Sequence, residues 1–249
     1  MLKLRNLLAV ASLAVLTVTF APPAGAGIAT QIEAATIQPA GQTVGVAHPI
    51  TVTFDRAIDD RTAAERTVGI SSPAQPLGNP PGSFTWLGDR VLQWTPAQFW
   101  PAHSTITVTA GNTKASFQTG AAVLGVADIG AHTFTVSIDG EVAREMPASM
   151  GKPKYPTPTG SFTVLEKQNP VVMDSRTIGI PLDDPEGYKL TVYDAVRINW
   201  GGVYIHSAPW STGSQGYENV SHGCINLSPD NADWYYNTVS IGDPVVVQY

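Results

Sequence analysis

Cysteine is almost absent from this sequence, because Cys224 is the only one among 249 residues. A single cysteine excludes an internal disulfide, so this residue is an intermolecular bridge, an inert buried thiol or a nucleophile. Metal-binding runs such as His-Glu-x-x-His and Cys-x-x-Cys are also missing, and a structural zinc site needs four ligands at recognisable spacing. We therefore expect neither a metal ion nor another cofactor.

Charged residues are few, at 14% of the chain, and acidic residues outnumber basic ones. The formal net charge of −6 argues against a nucleic-acid partner. Sustained helical periodicity is missing as well, whereas 23 glycines and 20 prolines indicate many turns between short strands. These features together predict a mostly β fold.

The N-terminus has the form of a targeting segment. Lys3 and Arg5 precede an apolar run from Leu7 to Phe20, and Ala24-Gly25-Ala26 is a small-residue cleavage site. We interpret residues 1–26 as a signal peptide, which predicts an exported protein of the periplasm or cell wall. An uncleaved anchor is the alternative, and only through it would the chain contact a membrane.

The single cysteine lies in an ordered run of small and polar residues. His206-Ser207 precedes a glycine-containing loop that ends at Ser221-His222-Gly223-Cys224, and Asn226 follows two residues on. Such a loop can fold back and place the histidine against the thiol as its base, and a cationic setting would lower the thiol pKa. The pattern favours a nucleophile over an inert thiol.

This run resembles the signature of the L,D-transpeptidases with a YkuD-type catalytic domain. The matching residues are His206, Ser221, His222, Gly223, Cys224 and Asn226. The resemblance implies a β-rich catalytic domain over residues 122–249, with one short helix after the catalytic cysteine. It also implies an immunoglobulin-like β-sandwich over residues 40–120, with a linker over 27–39.

Period-two alternation supports this organisation. In the first domain it predicts strands at Ile50–Phe54, Arg90–Trp94, Ser104–Thr109 and Ala115–Thr119. This domain has no evident chemical constellation, and its histidines, His48 and His103, are isolated in the sequence. Its tryptophans, Trp86, Trp94 and Trp100, are expected in the core, with sugar stacking as the alternative. We expect a spacer or docking module, with cell-wall binding as a hypothesis.

The second domain contains a clear hairpin and one clear helix start. Thr133–Ile138 alternates strictly and is followed by Asp139-Gly140, a two-residue turn signal. Ser228-Pro229-Asp230 provides an N-cap, a proline at the first helical position and an acid in the first turn. Residues 168–188 lack clear periodicity, and we interpret them as a flap over the site, with a plain surface excursion as the alternative.

The resemblance also assigns roles to the residues of the site. Cys224 is the nucleophile and His206 the base, oriented by the backbone carbonyl of Ser207; His222 is the competing candidate for the base. The N–H groups of His222, Gly223 and Cys224 are the expected oxyanion donors, because glycine at 223 permits the unusual φ that such a nest requires. The substrate-binding candidates are Met173, Tyr188, Trp210, Ser221 and Asn226, and Trp210 has core packing as its alternative.

The resemblance implies a peptidoglycan L,D-transpeptidase that uses stem peptides as donor and acceptor. Cys224 would attack the bond between diaminopimelate and D-alanine of a tetrapeptide stem, and a diaminopimelate amine of a second stem would resolve the thioester into a 3→3 cross-link. Acylation by carbapenem inhibitors is also implied. The alternatives are an L,D-carboxypeptidase, in which water is the acceptor, and an inactive wall-binding protein.

Overall fold

The computed structural model describes residues 32–74 and 79–249. The predicted signal peptide, residues 1–26, lies outside the described residues, as do residues 27–31 of the predicted linker over 27–39. Residues Ile32–Tyr249 form one unit with two large hydrophobic cores and a small cluster around Val192, Ala195 and Tyr204. Within the described ranges, no helix is long and apolar enough to cross a membrane.

The first domain is a sandwich of two four-stranded sheets. Its elements are β1 Ala34–Gln38, β2 Thr43–Val44, β3 Ile50–Phe54, α1 Arg61–Arg66, β4 Val68–Ser71, β5 Gly82–Trp86, β6 Val91–Pro96, β7 Thr105–Ala110 and β8 Thr113–Thr119. One sheet has the order β1-β3-β6-β5 and the other β2-β8-β7-β4. The predicted immunoglobulin-like sandwich is therefore present, and the four predicted strands correspond to β3, β6, β7 and β8.

Alternating burial explains why these strands pack face to face. β3 follows the pattern of buried and half-buried residues that period two requires. Trp94 and Trp100 are buried in the core, with ring centroids 5.3 Å apart, which confirms core packing for these two tryptophans. Trp86 is only partly buried, and its indole N–H donates to Glu65 at 2.8 Å.

Among the elements of this domain that were not predicted are strand β1 and helix α1. β1 lies inside the segment expected to be a linker and pairs with β3, so residues 34–38 belong to the sandwich. Helix α1 begins after Asp60, whose side chain accepts a hydrogen bond from the backbone N–H of Ala63 at 2.9 Å. The capping residue was in the sequence, but a six-residue helix shows too little periodicity to be recognised.

The second domain contains two sheets and a hairpin. Its elements are β9 Val123–Asp128, β10 Thr133–Ile138, β11 Glu141–Pro147, β12 Gly160–Thr163, β13 Glu166–Gln168, β14 Val171–Asp174, β15 Lys189–Val192, β16 Ala195–Arg197, β17 Tyr204–Ser207, β18 Ile225–Leu227, α2 Pro229–Thr238 and β19 Pro244–Gln248. The sheets have the orders β11-β10-β9-β19-β12 and β13-β16-β17-β18, and β14 pairs with β15 alone.

The hairpin and helix signals of this domain are confirmed. Asp139 and Gly140 both have positive φ, at 51° and 91°, the geometry of a type I′ turn. Helix α2 begins after Ser228, whose hydroxyl caps the N–H of Asn231, and Pro229 occupies its first turn. Tyr235 of this helix is buried and packs edge-on against Phe134, with ring centroids 4.9 Å apart.

The segment predicted as a flap has more regular structure than expected. Residues 168–188 include β14 and a short 3₁₀ turn, Ser175–Ile178, and β15 follows directly and completes an antiparallel hairpin. β14 does not alternate between a core face and a solvent face, so period two gave no signal for this strand. The flap thus contains one strand and the 3₁₀ turn of a two-stranded hairpin that is separate from both sheets.

Backbone hydrogen bonds join the two domains. Gly45 N–H donates to Ile241 O, and Ala47 N–H donates to Gly242 O, each at 2.8 Å. A Cβ on Gly45 would lie 2.1 Å from the backbone nitrogen of Asp243, so only glycine permits this approach. At a second point His103 Nε2 contacts Asp139 Oδ2 at 3.0 Å. We call these contacts the junction.

Candidate active site

Two neighbouring parallel strands place His206 and Cys224 together. β17 pairs with β18 in a register that sets His206 opposite Asn226. Residues opposite each other project from the same face, and so do residues two apart on one strand. Cys224 stands two residues before Asn226, and all three side chains line one cavity. The loop between the strands thus closes as the sequence predicts.

His206 is held as a neutral imidazole with a defined tautomer. Its Nδ1–H donates to the backbone carbonyl of Ser207 at 2.9 Å, the contact that the family resemblance implies. Burial lowers the pKa of His206 to about 4, and the Ser207 carbonyl only partly opposes this effect. Nε2 is therefore the nitrogen that is free to accept a proton.

The thiol of Cys224 is half-buried and protonated. It donates to the carbonyl of Gly202 at 3.7 Å, and it packs against Val192, Ala195 and Tyr204. Burial raises the pKa of Cys224 to about 11, although a backbone contact with Tyr204 acts in the opposite direction. The sequence-based expectation of a cationic setting that lowers this pKa is therefore wrong, because desolvation dominates.

The nucleophile loop, residues 221–224, is stabilised by internal hydrogen bonds of Ser221. Ser221 Oγ donates to the carbonyl of Cys224 at 2.6 Å and accepts from Gly223 N–H at 3.1 Å. Gly223 has a φ of +116°, as expected for a position that requires glycine. Its N–H bonds Ser221 in this structure, so the role of Gly223 as an oxyanion donor stays a prediction.

Thr157 braces the same loop and was missed as a site residue. It is buried, its Oγ1 donates to Gly223 O at 3.0 Å, and it accepts from Gly151 N–H at 2.8 Å. It lies in the turn Thr157-Pro158-Thr159-Gly160, which precedes β12. The turn was visible in the sequence, but the partners of its first threonine lie in other segments.

Asn226 is buried at 3% exposure and holds the segment before the nucleophile. Its Nδ2 donates to Ser211 Oγ at 3.1 Å. Gln215 Nε2 donates to the same hydroxyl at 3.2 Å and to the carbonyl of Ala208 at 3.2 Å. These bonds fold residues 208–218 against β18, so Asn226 shapes the cavity wall from behind as well as lining it.

The cavity at Cys224 has a volume of about 400 Å³. Its wall combines the flap, the nucleophile loop and the segment after β17, through Met173, Pro185, Glu186, Gly187, Tyr188, Leu190, Val192, His206, Trp210, Ser211, Ser214, Val220, Ser221, His222, Cys224 and Asn226. Met173, Tyr188, Trp210, Ser221 and Asn226, the five predicted substrate-binding residues, are all among them. Burial raises the pKa of Tyr188 to about 12, so it is a neutral hydroxyl.

Trp210 lies at the mouth of this cavity. Its side chain is 54% exposed, and its ring centroid is 6.0 Å from that of His206. An aromatic ring that exposed is not part of the core, so the alternative of core packing is wrong for this residue. Its position beside the histidine leaves one ring face open to a ligand.

His222 faces the flap. Its Nε2–H donates to Glu186 Oε2 at 2.9 Å, and its ring lies between those of Tyr155 and Tyr188, with centroids 4.9 and 5.1 Å away. The same carboxylate oxygen accepts from Lys152. Sequence reasoning missed Glu186 and Lys152, because the residues lie 34 positions apart and no local pattern connects them.

The structure describes no group of three or more His, Cys, Asp or Glu side chains that could hold a metal ion in residues 32–74 and 79–249. The chemistry of the site rests instead on a thiol and a neutral imidazole at the wall of one cavity. A thiol with an adjacent base can attack a carbonyl carbon and form a thioester. The β-rich domain and this pair of side chains define an enzyme of the cysteine acyl-transfer class.

Comparison with known families specifies this class further. The sequence profile of the L,D-transpeptidase catalytic domain matches residues 123–247, and that of the bacterial Ig domain matches residues 18–114. L,D-transpeptidase 1 of Mycobacterium tuberculosis is 56% identical over 214 residues, which cover 86% of this chain and 84% of that protein. The chain belongs to the L,D-transpeptidase family.

Solved structures agree with this assignment. An L,D-transpeptidase from Mycobacterium smegmatis is 65% identical, and it superposes with a TM-score of 0.83 over 88% of this chain and 100% of its own. An L,D-transpeptidase in complex with imipenem is 54% identical, with a TM-score of 0.79 over 87% of this chain and 99% of its own. The Ig-like domain followed by the catalytic domain is therefore an arrangement shared with these relatives.

Proposed function

We propose that this protein is a peptidoglycan L,D-transpeptidase that forms 3→3 cross-links between stem peptides. The observation that supports it best is the register of β17 and β18, which pairs His206 with Asn226, two residues after Cys224, so that His206 and Cys224 line the wall of one cavity. A thiol and a base are the two groups that acyl transfer through a thioester requires.

In the first step, Cys224 attacks the carbonyl carbon between diaminopimelate and D-alanine of the donor tetrapeptide. His206 Nε2 takes the thiol proton as the C–S bond forms, because the resting pair is neutral. The histidine then returns this proton to the amide nitrogen as the C–N bond breaks. D-alanine leaves with its amine, and the tripeptide remains on the sulfur as a thioester.

In the second step, the side-chain amine of an acceptor diaminopimelate attacks the thioester carbonyl. His206 takes a proton from the amine, the C–S bond breaks, and the sulfur regains a proton. The backbone N–H groups of His222 and Cys224 are our candidates for the oxyanion donors, since that of Gly223 bonds Ser221. Trp210, exposed beside His206, is the candidate wall for the acceptor strand.

Carbapenems fit the same chemistry. The strained lactam carbonyl of these compounds imitates the donor amide, so Cys224 would attack it and form an acyl-enzyme. A relative that is 54% identical has been solved in complex with imipenem, which supports this expectation for the present chain. Export to the periplasm or cell wall, where stem peptides are found, follows from the proposed signal peptide over residues 1–26.

For the Ig-like domain we propose the role of a spacer that is fixed to the catalytic domain through the junction. The interdomain hydrogen bonds of Gly45 and Ala47 support a rigid connection rather than a flexible one. His48 and His103, which are isolated in the sequence, both lie at the junction, where structural contacts account for them.

The decisive experiment is a mass spectrum of the products after residues 27–249 are incubated with a disaccharide-tetrapeptide. A dimer lighter than two substrates by one D-alanine is expected, and the Cys224→Ala variant should not form it. Tripeptide without dimer would instead identify an L,D-carboxypeptidase. Unchanged substrate and an unmodified thiol would contradict both enzyme hypotheses and leave the wall-binding protein.

A further inference from the structure

Glu186 is the only carboxylate among the residues that line the cavity. It lies near the end of the flap, and one of its oxygens, Oε2, contacts both Lys152 and the Nε2–H of His222. The side chains of all three residues are between one-fifth and three-tenths exposed. A single oxygen thus connects three separate segments at the edge of the active site.

Both partners of Glu186 belong to the support of the nucleophile. Lys152 N–H donates to the carbonyl of Ser221 at 3.0 Å, next to the isolated bridge between Gly151 and Ser221. His222 stands two residues before Cys224, and its ring is held between two tyrosine rings. Glu186 therefore joins the flap to the loop that carries the thiol.

Several hydrogen bonds within the flap keep it folded but do not hold it over the site. Ser175 N–H donates to Tyr188 O at 2.9 Å, Tyr188 N–H donates to Ser175 Oγ at 3.0 Å, and Glu186 N–H donates to Asp184 Oδ1 at 2.8 Å. All of these bonds begin and end inside residues 168–188. At the base of the flap, Gln168 accepts from Tyr204 OH at 3.2 Å and Asn169 donates to Asp194. At its other end, the Tyr188 ring contacts His222, and Glu186 provides the charged contacts with the nucleophile loop and its support.

We propose that Glu186 is a positioning residue, whose contacts with Lys152 and His222 form a latch that holds the flap over Cys224. This proposal rests on the proposed transpeptidase function. It adds a role in deciding whether the acceptor amine or water attacks the thioester. A closed flap retains the donor peptide and excludes water from the thioester. Glu186 thereby favours the amine of the acceptor over water in the second step.

The test compares Glu186→Gln with Asp183→Asn, a matched control in the flap. Both variants lose one negative charge, but Asp183 is exposed. Glu186→Gln should raise KM roughly three- to ten-fold and raise the ratio of tripeptide to dimer, with a smaller change in kcat. Asp183→Asn should leave both quantities at the wild-type values. A purely structural role would change the melting temperature without changing the ratio.

Lys152→Met removes the other end of the latch and gives an independent measurement. The double variant Glu186→Gln, Lys152→Met should be no worse than the poorer single variant, because both changes break one unit. Fully additive losses would contradict the latch, as would a Glu186→Gln variant with wild-type KM and product ratio. If Glu186→Gln does not fold, Lys152→Met carries the same test.

Labelling of Cys224 by iodoacetamide tests the latch independently of whether the proposed transpeptidase function is correct. A loosened flap exposes the thiol, so Glu186→Gln and Lys152→Met should be alkylated several-fold faster than wild type and Asp183→Asn. This holds even if no cross-linked dimer forms, in which case the proposed function fails and the latch stands. Equal alkylation rates in all four proteins would overturn the latch.

Discussion

At the scale of single residues, the neutral state of both catalytic groups has the largest consequence. Burial raises the pKa of Cys224 to about 11 and lowers that of His206 to about 4. A thiolate–imidazolium pair is therefore not the resting state. The proton has to move from sulfur to nitrogen during the attack, so His206 acts in the transition state rather than before it.

This leads to a prediction for the pH dependence of acylation. Between about pH 5 and pH 10, the rate constant for acylation by imipenem should be nearly level, because neither group changes its charge in this range. Below about pH 4 it should fall as His206 becomes protonated and ceases to be a base. Stopped-flow fluorescence would measure the profile. A rise of roughly tenfold per pH unit around neutrality would show instead that a free thiolate is the attacking species.

Single replacement of the two histidines would test which one is the base. We expect His206→Gln to slow acylation by roughly 10²–10⁴-fold, the usual contribution of a general base. His222→Gln should cost much less, because its Nε2 is bonded to Glu186. Mass spectrometry of the acyl-enzyme over time gives both rates. Equal retention of acylation in His206→Gln would exclude it as the base.

At the scale of elements, the turn before β12 supports the nucleophile loop through one hydroxyl. Thr157→Val keeps the shape of this buried side chain but removes the bonds to Gly223 O and Gly151 N–H. The loss should destabilise the fold by about 1–3 kcal/mol and slow acylation. Thr159→Val, an exposed position of the same turn, is the control. Thermal unfolding and acylation rates of both variants would show whether only Thr157→Val loses stability and activity.

Elements with one buried face could be predicted from the sequence, and elements without one could not. β10 coincides with the predicted strand Thr133–Ile138, since its residues alternate between the core and the surface. All three residues of β18 are buried, so its sequence shows no alternation. The strands of the flap hairpin pack against a small cluster around Val192 rather than a large core, and β14 has no fully buried residue.

The candidate site likewise contains residues that could be predicted from the sequence and residues that could not. His206, Cys224 and the nucleophile loop are close in sequence, and the motif that contains them was sufficient to identify them. Thr157, Lys152 and Glu186 act on this motif from other segments, and their partners could not be predicted without the fold. Sequence also could not give the direction of the Cys224 pKa shift, because it depends on how deeply the thiol is buried.

At the scale of the whole molecule, the junction should depend on the glycine at position 45. Its substitution by alanine would place a Cβ 2.1 Å from the nitrogen of Asp243 and 2.3 Å from the carbonyl carbon of Gly242. Both are backbone atoms, so the domains have to separate or distort, at a cost of about 1–3 kcal/mol. Calorimetry and limited proteolysis should show a destabilised Gly45→Ala. Gly88→Ala has open space around its Cβ and should behave as wild type.

Asp243 should make the stability of the junction depend on pH. Burial raises the pKa of this carboxyl to about 6, well above its ordinary 3.8, although backbone N–H groups of Ser240 and Val46 oppose the shift. The folded chain therefore binds the proton more tightly than the unfolded one, and stability from this group falls as the pH rises from about 4 to about 6. Above that range, the charged Asp243 carboxylate destabilises the folded state by on the order of 2–3 kcal/mol.

Replacement by asparagine would remove this penalty while retaining an acceptor for the N–H of Ser240, which bonds Asp243 at 2.7 Å. We expect Asp243→Asn to melt several degrees higher than wild type at pH 7 and at about the same temperature at pH 4. Asp59→Asn, at an exposed position, is the control. A lower melting temperature at pH 7 would contradict this account of Asp243.

The position of β19 has a consequence for the order in which the protein acquires activity. Residues Pro244–Gln248 lie inside the five-stranded sheet, parallel to β9 on one side and antiparallel to β12 on the other. The Ig-like sandwich contains only earlier residues, so it can form while the chain is still being synthesised. The catalytic sheet has a gap between β9 and β12 until residue 248 has been added. A chain that stops before residue 248 would therefore carry the cysteine without a complete catalytic sheet, so we expect thioester chemistry only after these residues have been added.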